Sequence, residues 1–148
     1  MSLEAKITND LKEAMKSKDQ AAMRSIRAIK ADILLFKTDG SGNTLDDAAE
    51  IKILQKLVKQ RQDSLEIYNK QGREDLAVTE REEIAIIQKY LPAQMNEEEM
   101  KTAIQAIITE TGANSAKEMG KVIGLANQRL AGKAEGKAIA TMVKQLLS

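Results

Sequence analysis

The chain has 148 residues with 23 basic and 22 acidic side chains, and it contains neither histidine nor cysteine. Without these two residue types it cannot form a histidine-based catalytic triad, a thiol nucleophile, a disulfide or the usual zinc site. Strong helix formers dominate the composition and only three residues are aromatic, which predicts an all-α fold.

The first 91 residues predict an N-terminal helical bundle. Apolar residues recur there every three or four positions in four stretches, which is the spacing of amphipathic helices. The first helix should run from the N-cap Ser2 to about Ser17, and the second should start at Asp19. After a loop over 39–43, Thr44 should cap the third helix, which ends at Gly72. Pro92 should stop the fourth helix. The long third helix and the fourth helix should form a helical hairpin.

A charged pair is expected inside this hairpin. Arg61 occupies an apolar position of the third helix, and Glu80 lies within the apolar stripe of the fourth. Counting outward from Gly72 places Arg61 opposite Glu83, with Glu80 one turn away. Either acid could neutralise the guanidinium, and the alternative is that Arg61 faces a partner.

Three more helices are predicted after a joint at 92–96. Asn96 and Glu99 match a capping box, residues 115–118 match a second one, and the last helix follows a turn over 132–136. We therefore expect residues 97–148 to form a C-terminal three-helix subdomain, distinct from the bundle of residues 1–91.

The charge asymmetry of the chain lies in residues 113–148, which hold six basic and two acidic side chains. A basic segment beside a neutral bundle suggests an acidic or phosphorylated partner. On a helical projection at about 100° per residue, Lys117, Lys121, Gly124 and Gln128 lie opposite an apolar face.

Gly120 and Gly124 form a Gly-x-x-x-Gly pair on the same helix. Glycine at an exposed helical position costs about 1 kcal/mol relative to alanine, so a compensating contact is expected. Either a neighbouring helix packs there, or a ligand backbone approaches. The turn over 132–136 also has two interpretations. Its amides either bind a phosphate, or the turn is a flexible connection between helices.

No catalytic residue, metal site or cofactor site is predicted, so we expect a non-enzymatic protein. The chain has neither a phosphate-binding loop sequence nor a dinucleotide fingerprint. The acidic clusters at 97–99 and 46–47 fall in first helical turns, where carboxylates favourably oppose the helix dipole. Because no run approaches the roughly 18 apolar residues of a membrane span and the first residues lack a signal pattern, we expect a cytoplasmic location without membrane contact.

Five short segments resemble the YqeY family of small bacterial proteins, whose C-terminal part is similar to the tail domain of the GatB subunit of the tRNA-dependent amidotransferase. The segments are Val58–Ser64, Gly72–Leu76, Tyr90–Pro92, Met119–Gly124 and Gly132–Ala134. Their order and spacing match the family, and the resemblance covers nearly the whole chain. The resemblance implies an all-helical protein in two subdomains, in agreement with the apolar pattern.

The resemblance also implies tRNA binding by the C-terminal subdomain, because the tail domain helps to hold tRNA while other domains of the amidotransferase carry out catalysis. The residues expected to contact RNA are Lys117, Gly120, Lys121, Gly124, Gly132 and Lys133, with Gln128, Gly136 and Lys137 beside them. Glu135–Gly136 departs from the Asp/Asn-Pro or Asp-Gly associated with this turn. An amidotransferase, or carbon–nitrogen ligase, label accompanies the family by association, and no residue set in this chain supports it.

Two functions follow from these observations. The first is a non-catalytic module that binds folded RNA, most of all tRNA, through its backbone, since the scarcity of aromatic residues disfavours base stacking. The second is a helical interaction module that docks on an aminoacyl-tRNA synthetase or an amidotransferase. Salt dependence distinguishes them, because phosphate contacts weaken steeply with salt and apolar contacts do not.

Overall fold

The computed structural model describes residues 2–148, and within that range it contains seven α-helices and no β-strand. The helices are α1 (Leu3–Ser17), α2 (Gln20–Lys37), α3 (Asp47–Lys70), α4 (Glu74–Gln88), α5 (Glu97–Thr111), α6 (Met119–Arg129) and α7 (Gly136–Leu147), and a 3-10 turn (Ala116–Glu118) precedes α6. The predicted all-α fold is confirmed.

The chain divides into two compact units, with the boundary between Leu91 and Pro92. The segment predicted as a joint is bonded to the C-terminal unit. The Met95 amide donates to the Lys133 carbonyl at 2.9 Å, and the Gln94 side chain donates to the Gly132 carbonyl at 2.6 Å. The first residues after Pro92 therefore belong structurally to the C-terminal unit.

The N-terminal unit consists of the α1–α2 and α3–α4 hairpins around one apolar core. The predicted four-residue repeat of α1 leaves this core near the end of the helix, where Met15 is 54% exposed and Ala14 is buried instead. Each four-residue step turns an α-helix by about 400°, so the repeat drifts about 40° from the core per step. Three steps carry Met15 to the surface.

Most predicted helix ends are confirmed by their hydrogen bonds. The side chains of Ser2, Asp19 and Asn96 accept hydrogen bonds from backbone amides at 3.2, 3.0 and 2.8 Å. The Asn96 amide in turn donates to the Glu99 carboxylate at 3.2 Å. Gly72 follows α3 with φ of 68°, a backbone conformation that glycine adopts without strain.

The predicted N-cap of α3 is wrong. The cap is Asp46 rather than Thr44, and its carboxylate accepts the Ala49 amide at 2.8 Å. The helix starts two residues later than predicted, and a charged carboxylate is a stronger acceptor for helix amides than a hydroxyl.

The predicted capping box at 115–118 is also wrong. The Ser115 side chain makes no capping bond, because the chain enters α6 through a 3-10 turn whose tighter bonding changes the position of the next amides. Glu118 does reach back, and its carboxylate accepts the Asn114 amide at 2.7 Å.

The predicted ion pair of the long hairpin is confirmed. Arg61 Nε donates to Glu83 Oε1 at 3.1 Å, and Arg61 Nη1 donates to the Leu57 carbonyl at 2.9 Å. The other oxygen of Glu83 lies 3.5 Å from Nε of Arg24, so Glu83 links α2, α3 and α4. Burial, together with the negative charge of Glu83, raises the pKa of Glu80, while Arg61 opposes this rise.

The C-terminal unit packs α5, α6 and α7 around a second apolar core. Its most buried large side chains belong to all three helices, and each is at most 2% exposed: Ile104, Ile107, Val122, Ile139 and Val143. The core fixes the orientation of α6, so its opposite side is exposed.

Candidate nucleic-acid interface

The exposed side of α6 carries the residues expected there. Lys117, Lys121, Gly124 and Gln128 are all exposed, whereas Val122 on the opposite side is fully buried. Packing of the C-terminal core thus presents two lysines and a glycine together along about three helical turns.

The two helical glycines have no packing partner among residues 2–148. A β-carbon built on Gly120 or Gly124 would meet no atom within 4 Å. Of the two explanations for this glycine pair, close packing of a neighbouring helix is therefore wrong for the described chain. The backbone of α6 is open to an approaching ligand at both positions.

The turn before α7 is bonded to the rest of the C-terminal unit. The amides of Lys133 and Ala134 both donate to the Leu130 carbonyl, at 2.9 and 3.3 Å. The carbonyls of Gly132 and Lys133 accept from the 94–95 segment, so the turn is held on both sides. These two amides are already used, and the phosphate cradle stays a prediction for the other amides of the turn.

Gly132 has a structural role in this turn. The residue is buried and has φ of 79°, so a side chain there would strain the backbone. It does not lie on the surface with the other expected RNA contacts. Lys133, which follows it, is exposed.

The start of α7 lies beside the exposed side of α6. A β-carbon on Gly136 would be 3.6 Å from Oδ1 of Asn127, an ordinary contact distance, and Lys137 next to it is exposed. The sequence analysis did not predict Asn127 as a site residue. Its position three residues after Gly124 and seven after Gly120 could have indicated it, because residues at these spacings share one helix face.

We call this surface the glycine–lysine face. It consists of Lys117, Gly120, Lys121, Gly124, Asn127 and Gln128 on or next to α6, with Lys133, Gly136 and Lys137 at the turn into α7.

The lysines of the glycine–lysine face are not neutralised within the described chain. Across residues 2–148, none of Lys117, Lys121, Lys133 and Lys137 has a carboxylate within 4.0 Å. Their positive charge is available to an external anion.

The ion pair of the C-terminal unit joins other residues. Arg129 holds Glu110 through two bonds at 2.5 and 2.8 Å, and these bonds with the positive charge of Arg129 lower the pKa of Glu110. The pair connects α6 to α5 outside the glycine–lysine face.

The acidic clusters at 46–47 and 97–99 contribute caps at the starts of helices. Asp46 caps α3 and Glu99 completes the capping box of α5. In the described part of the chain, no three carboxylates come together in an arrangement that could hold a metal ion. Over the same residues, no helix combines the length and apolar character that a membrane span requires.

The fold and this face define a class of protein: an all-helical chain of two compact units, with a basic, glycine-bearing helix in the second. Residues 4–147 match the model of the family described as Yqey-like protein, and the chain belongs to this family. The predicted family resemblance is confirmed.

Curated relatives include fungal proteins named "Altered inheritance of mitochondria protein 41, mitochondrial". The protein of Lachancea thermotolerans is 39% identical over 87 residues, which cover 59% of this chain and 46% of the relative. That of Clavispora lusitaniae is 38% identical over 110 residues, covering 72% and 63%. That of Pyrenophora tritici-repentis is 32% identical over 130 residues, covering 84% and 69%.

The matched segment spans from about half to about two thirds of the length of these relatives. Their names place the relatives in mitochondria. The cytoplasmic location expected for this chain stays a prediction.

Proposed function

We propose that this protein is a non-catalytic module that binds folded RNA, with tRNA as its main target, through the glycine–lysine face of its C-terminal unit. The observation that carries the proposal is the pair Gly120 and Gly124, exposed on α6 without a packing partner among residues 2–148 and flanked by unpaired lysines. Exposed helical glycines reduce helix stability, so an external contact is a physical reason for their presence.

Phosphate is the chemical group that suits this face best. Lysine ammonium groups attract phosphate oxygens, and a helix surface without β-carbons allows a sugar–phosphate backbone to approach closely. No aromatic residue follows Tyr90, so single-stranded bases have no ring to stack on in the C-terminal unit. A folded RNA, recognised by shape and backbone, is therefore the more suitable partner.

The test is tRNA binding by fluorescence anisotropy between 50 and 200 mM salt, with the full chain. Contacts from Lys117, Lys121 and Lys133 predict a log–log salt slope of about −2 to −3. Lys121→Ala should reduce the magnitude of the slope by about one and weaken binding to different tRNAs nearly equally, as expected of a phosphate contact. Lys101→Ala is the matched control, since it removes the same charge from the exposed side of α5.

Gly124→Leu tests the glycine directly. Leucine is a better helix former than glycine and the site is open, so the variant should be at least as stable as the native protein. It should nevertheless bind tRNA more weakly, because its side chain holds the phosphate backbone away. Ala106→Leu, which adds an apolar side chain at an exposed position of α5, should leave binding unchanged.

The alternative function is docking on an aminoacyl-tRNA synthetase or an amidotransferase through the same face. A flat salt response of tRNA binding, or full binding by both Lys121→Ala and Gly124→Leu, would favour that alternative over RNA binding.

A further inference from the structure

A groove with an apolar floor runs between α1 and α2 in the N-terminal unit, and it has a volume of about 550 Å³. Ile7 and Ile33 are buried at its floor, and Leu11 is half-buried at its side. Leu34 is also part of the lining and is 62% exposed. The exposed Leu34 side chain therefore lies next to the apolar floor that Ile7 and Ile33 form.

The rim of the groove is basic. Three cations line it, Arg27, Lys30 and Lys37, together with one acid, Glu4. Lys37 and Glu4 pair with each other at 2.6 Å. Arg27 and Lys30 have no carboxylate partner within 4.0 Å among residues 2–148. Two positive charges therefore remain beside the apolar floor.

We propose that this groove docks an acidic amphipathic helix of a partner protein. The apolar floor would accept apolar residues spaced three or four positions apart, and the two uncompensated cations would bind acidic residues beside that stripe. From Arg27 to Lys37 the rim follows ten residues of helix, or about 15 Å, which matches about three turns of a docked helix.

RNA is a poorer occupant than such a helix. Phosphate needs hydrogen-bond donors and positive charge throughout its contact, whereas the floor of this groove consists of aliphatic side chains. No aromatic residue lines the groove, so bases cannot stack there. The proposal is independent of the glycine–lysine face, which belongs to the other unit.

The experiment uses the full ¹⁵N-labelled chain and two synthetic 14-residue helical peptides. Both peptides carry leucines at one helical spacing, with glutamates beside them in one peptide and lysines at the same positions in the other. The acidic peptide should shift the amide resonances of Leu11, Lys30 and Leu34, and the basic peptide should bind at least ten times more weakly.

Two adjacent leucines provide a matched pair of variants. Leu34 and Leu35 are 62% and 64% exposed on the same helix, but only Leu34 lines the groove. Leu34→Ser should weaken binding of the acidic peptide at least ten-fold, and Leu35→Ser should change it less than two-fold. Because both side chains are mostly exposed, both variants should keep the helical circular dichroism of the native chain.

Charge reversal tests the rim. Lys30→Glu should weaken binding of the acidic peptide and strengthen binding of the basic one. Lys12 is exposed on α1 outside the groove, so Lys12→Glu should change neither affinity. Equal binding of both peptides, equal losses from Leu34→Ser and Leu35→Ser, or no binding at millimolar peptide would overturn the proposal. Binding to phosphatidylserine-containing vesicles without binding to the acidic peptide would also overturn it, in favour of a membrane surface.

Discussion

The N-terminal unit holds ten of the eleven ion pairs found in residues 2–148, and the C-terminal unit holds one. Residues 1–91 carry sixteen basic and sixteen acidic side chains, while residues 92–148 carry seven and six. Both units are thus close to neutral, but their charges are arranged differently. In the first unit many basic and acidic side chains form ion pairs, as Glu83 does with Arg24 and Arg61. In the second, most acids lie on α5 and most lysines on the glycine–lysine face.

This difference teaches that net charge alone does not identify a binding surface. Nine of the sixteen basic side chains of the N-terminal unit pair with a carboxylate of the same unit. Those of the glycine–lysine face have no carboxylate partner among residues 2–148, so their charge is available to a partner. The following predictions test this separation between cations that stabilise the fold and cations that bind.

Arg61→Ala should have the largest effect on stability. The variant leaves Glu83, whose side chain is 12% exposed, with Arg24 as its remaining cation at 3.5 Å, and it removes the bond to the Leu57 carbonyl. Breaking such a pair should lower the free energy of unfolding by about 2–4 kcal/mol. Urea unfolding followed by tyrosine fluorescence measures this unit selectively, because both tyrosines lie before Pro92.

Arg81→Ala is the control for Arg61. Its pair with Glu74 is exposed, so the loss should stay below about 1 kcal/mol. Similar losses in the two variants would contradict the view that burial gives the Arg61–Glu83 pair its importance.

Asn96→Ala should have the second largest effect, in the C-terminal unit. The Asn96 side chain and Glu99 form the capping box of α5, and loss of an N-cap typically costs about 1 kcal/mol. Amide hydrogen exchange of α5 measures the loss. Ser115→Ala should be nearly neutral, because the Ser115 side chain makes no capping bond.

Glu80→Gln should stabilise the N-terminal unit slightly, and only at neutral pH. Burial and the charge of Glu83 raise the pKa of Glu80, so the folded state favours its protonated form and the carboxylate is destabilising at pH 7. The gain should be below about 1 kcal/mol after solvent screening. It should disappear as the pH falls through the raised pKa toward about pH 4, where native Glu80 binds a proton.

Urea midpoints at several pH values, followed by tyrosine fluorescence, test the Glu80 prediction. A gain of the same size at every pH would show that shape or packing, rather than charge, causes it.

The double variant Lys117→Ala/Lys121→Ala should have the smallest effect on stability, within about 0.5 kcal/mol. Neither lysine has a carboxylate partner in residues 2–148, so nothing is lost when they are removed. The same variant should bind tRNA more weakly, and the magnitude of its salt slope should fall by about two, because Lys133 is retained. Thermal unfolding by circular dichroism measures the first quantity, and marked destabilisation would mean that these lysines stabilise the fold.

Several features of the site were accessible from the sequence because they depend on helix periodicity. Lys117, Lys121, Gly124 and Gln128 share one side of α6 as the projection predicts, since the apolar residues opposite them set the orientation. The helical spacing of Asn127 also places it on this side, but its proximity to Gly136 depends on how α6 and α7 pack.

The sequence by itself determined the helical class, most helix ends and the partner of Arg61. Caps such as Asn96 with Glu99 are bonds between residues three positions apart, and a hairpin counted from Gly72 brings Arg61 to Glu83. Such contacts follow from local geometry, because an α-helix repeats every 3.6 residues and a short turn fixes the register of two helices.

Tertiary structure alone decided that Gly132 is buried, that no helix covers Gly120 and Gly124, and that Leu34 lines a groove. Gly132 is buried in a turn whose carbonyl accepts from Gln94, 38 residues earlier, whereas no helix of the described chain packs on Gly120 or Gly124. Leu34 is exposed in a groove that depends on how α1 lies against α2. These outcomes arise from contacts between residues distant in sequence, and the local pattern is compatible with either burial or exposure at each of them.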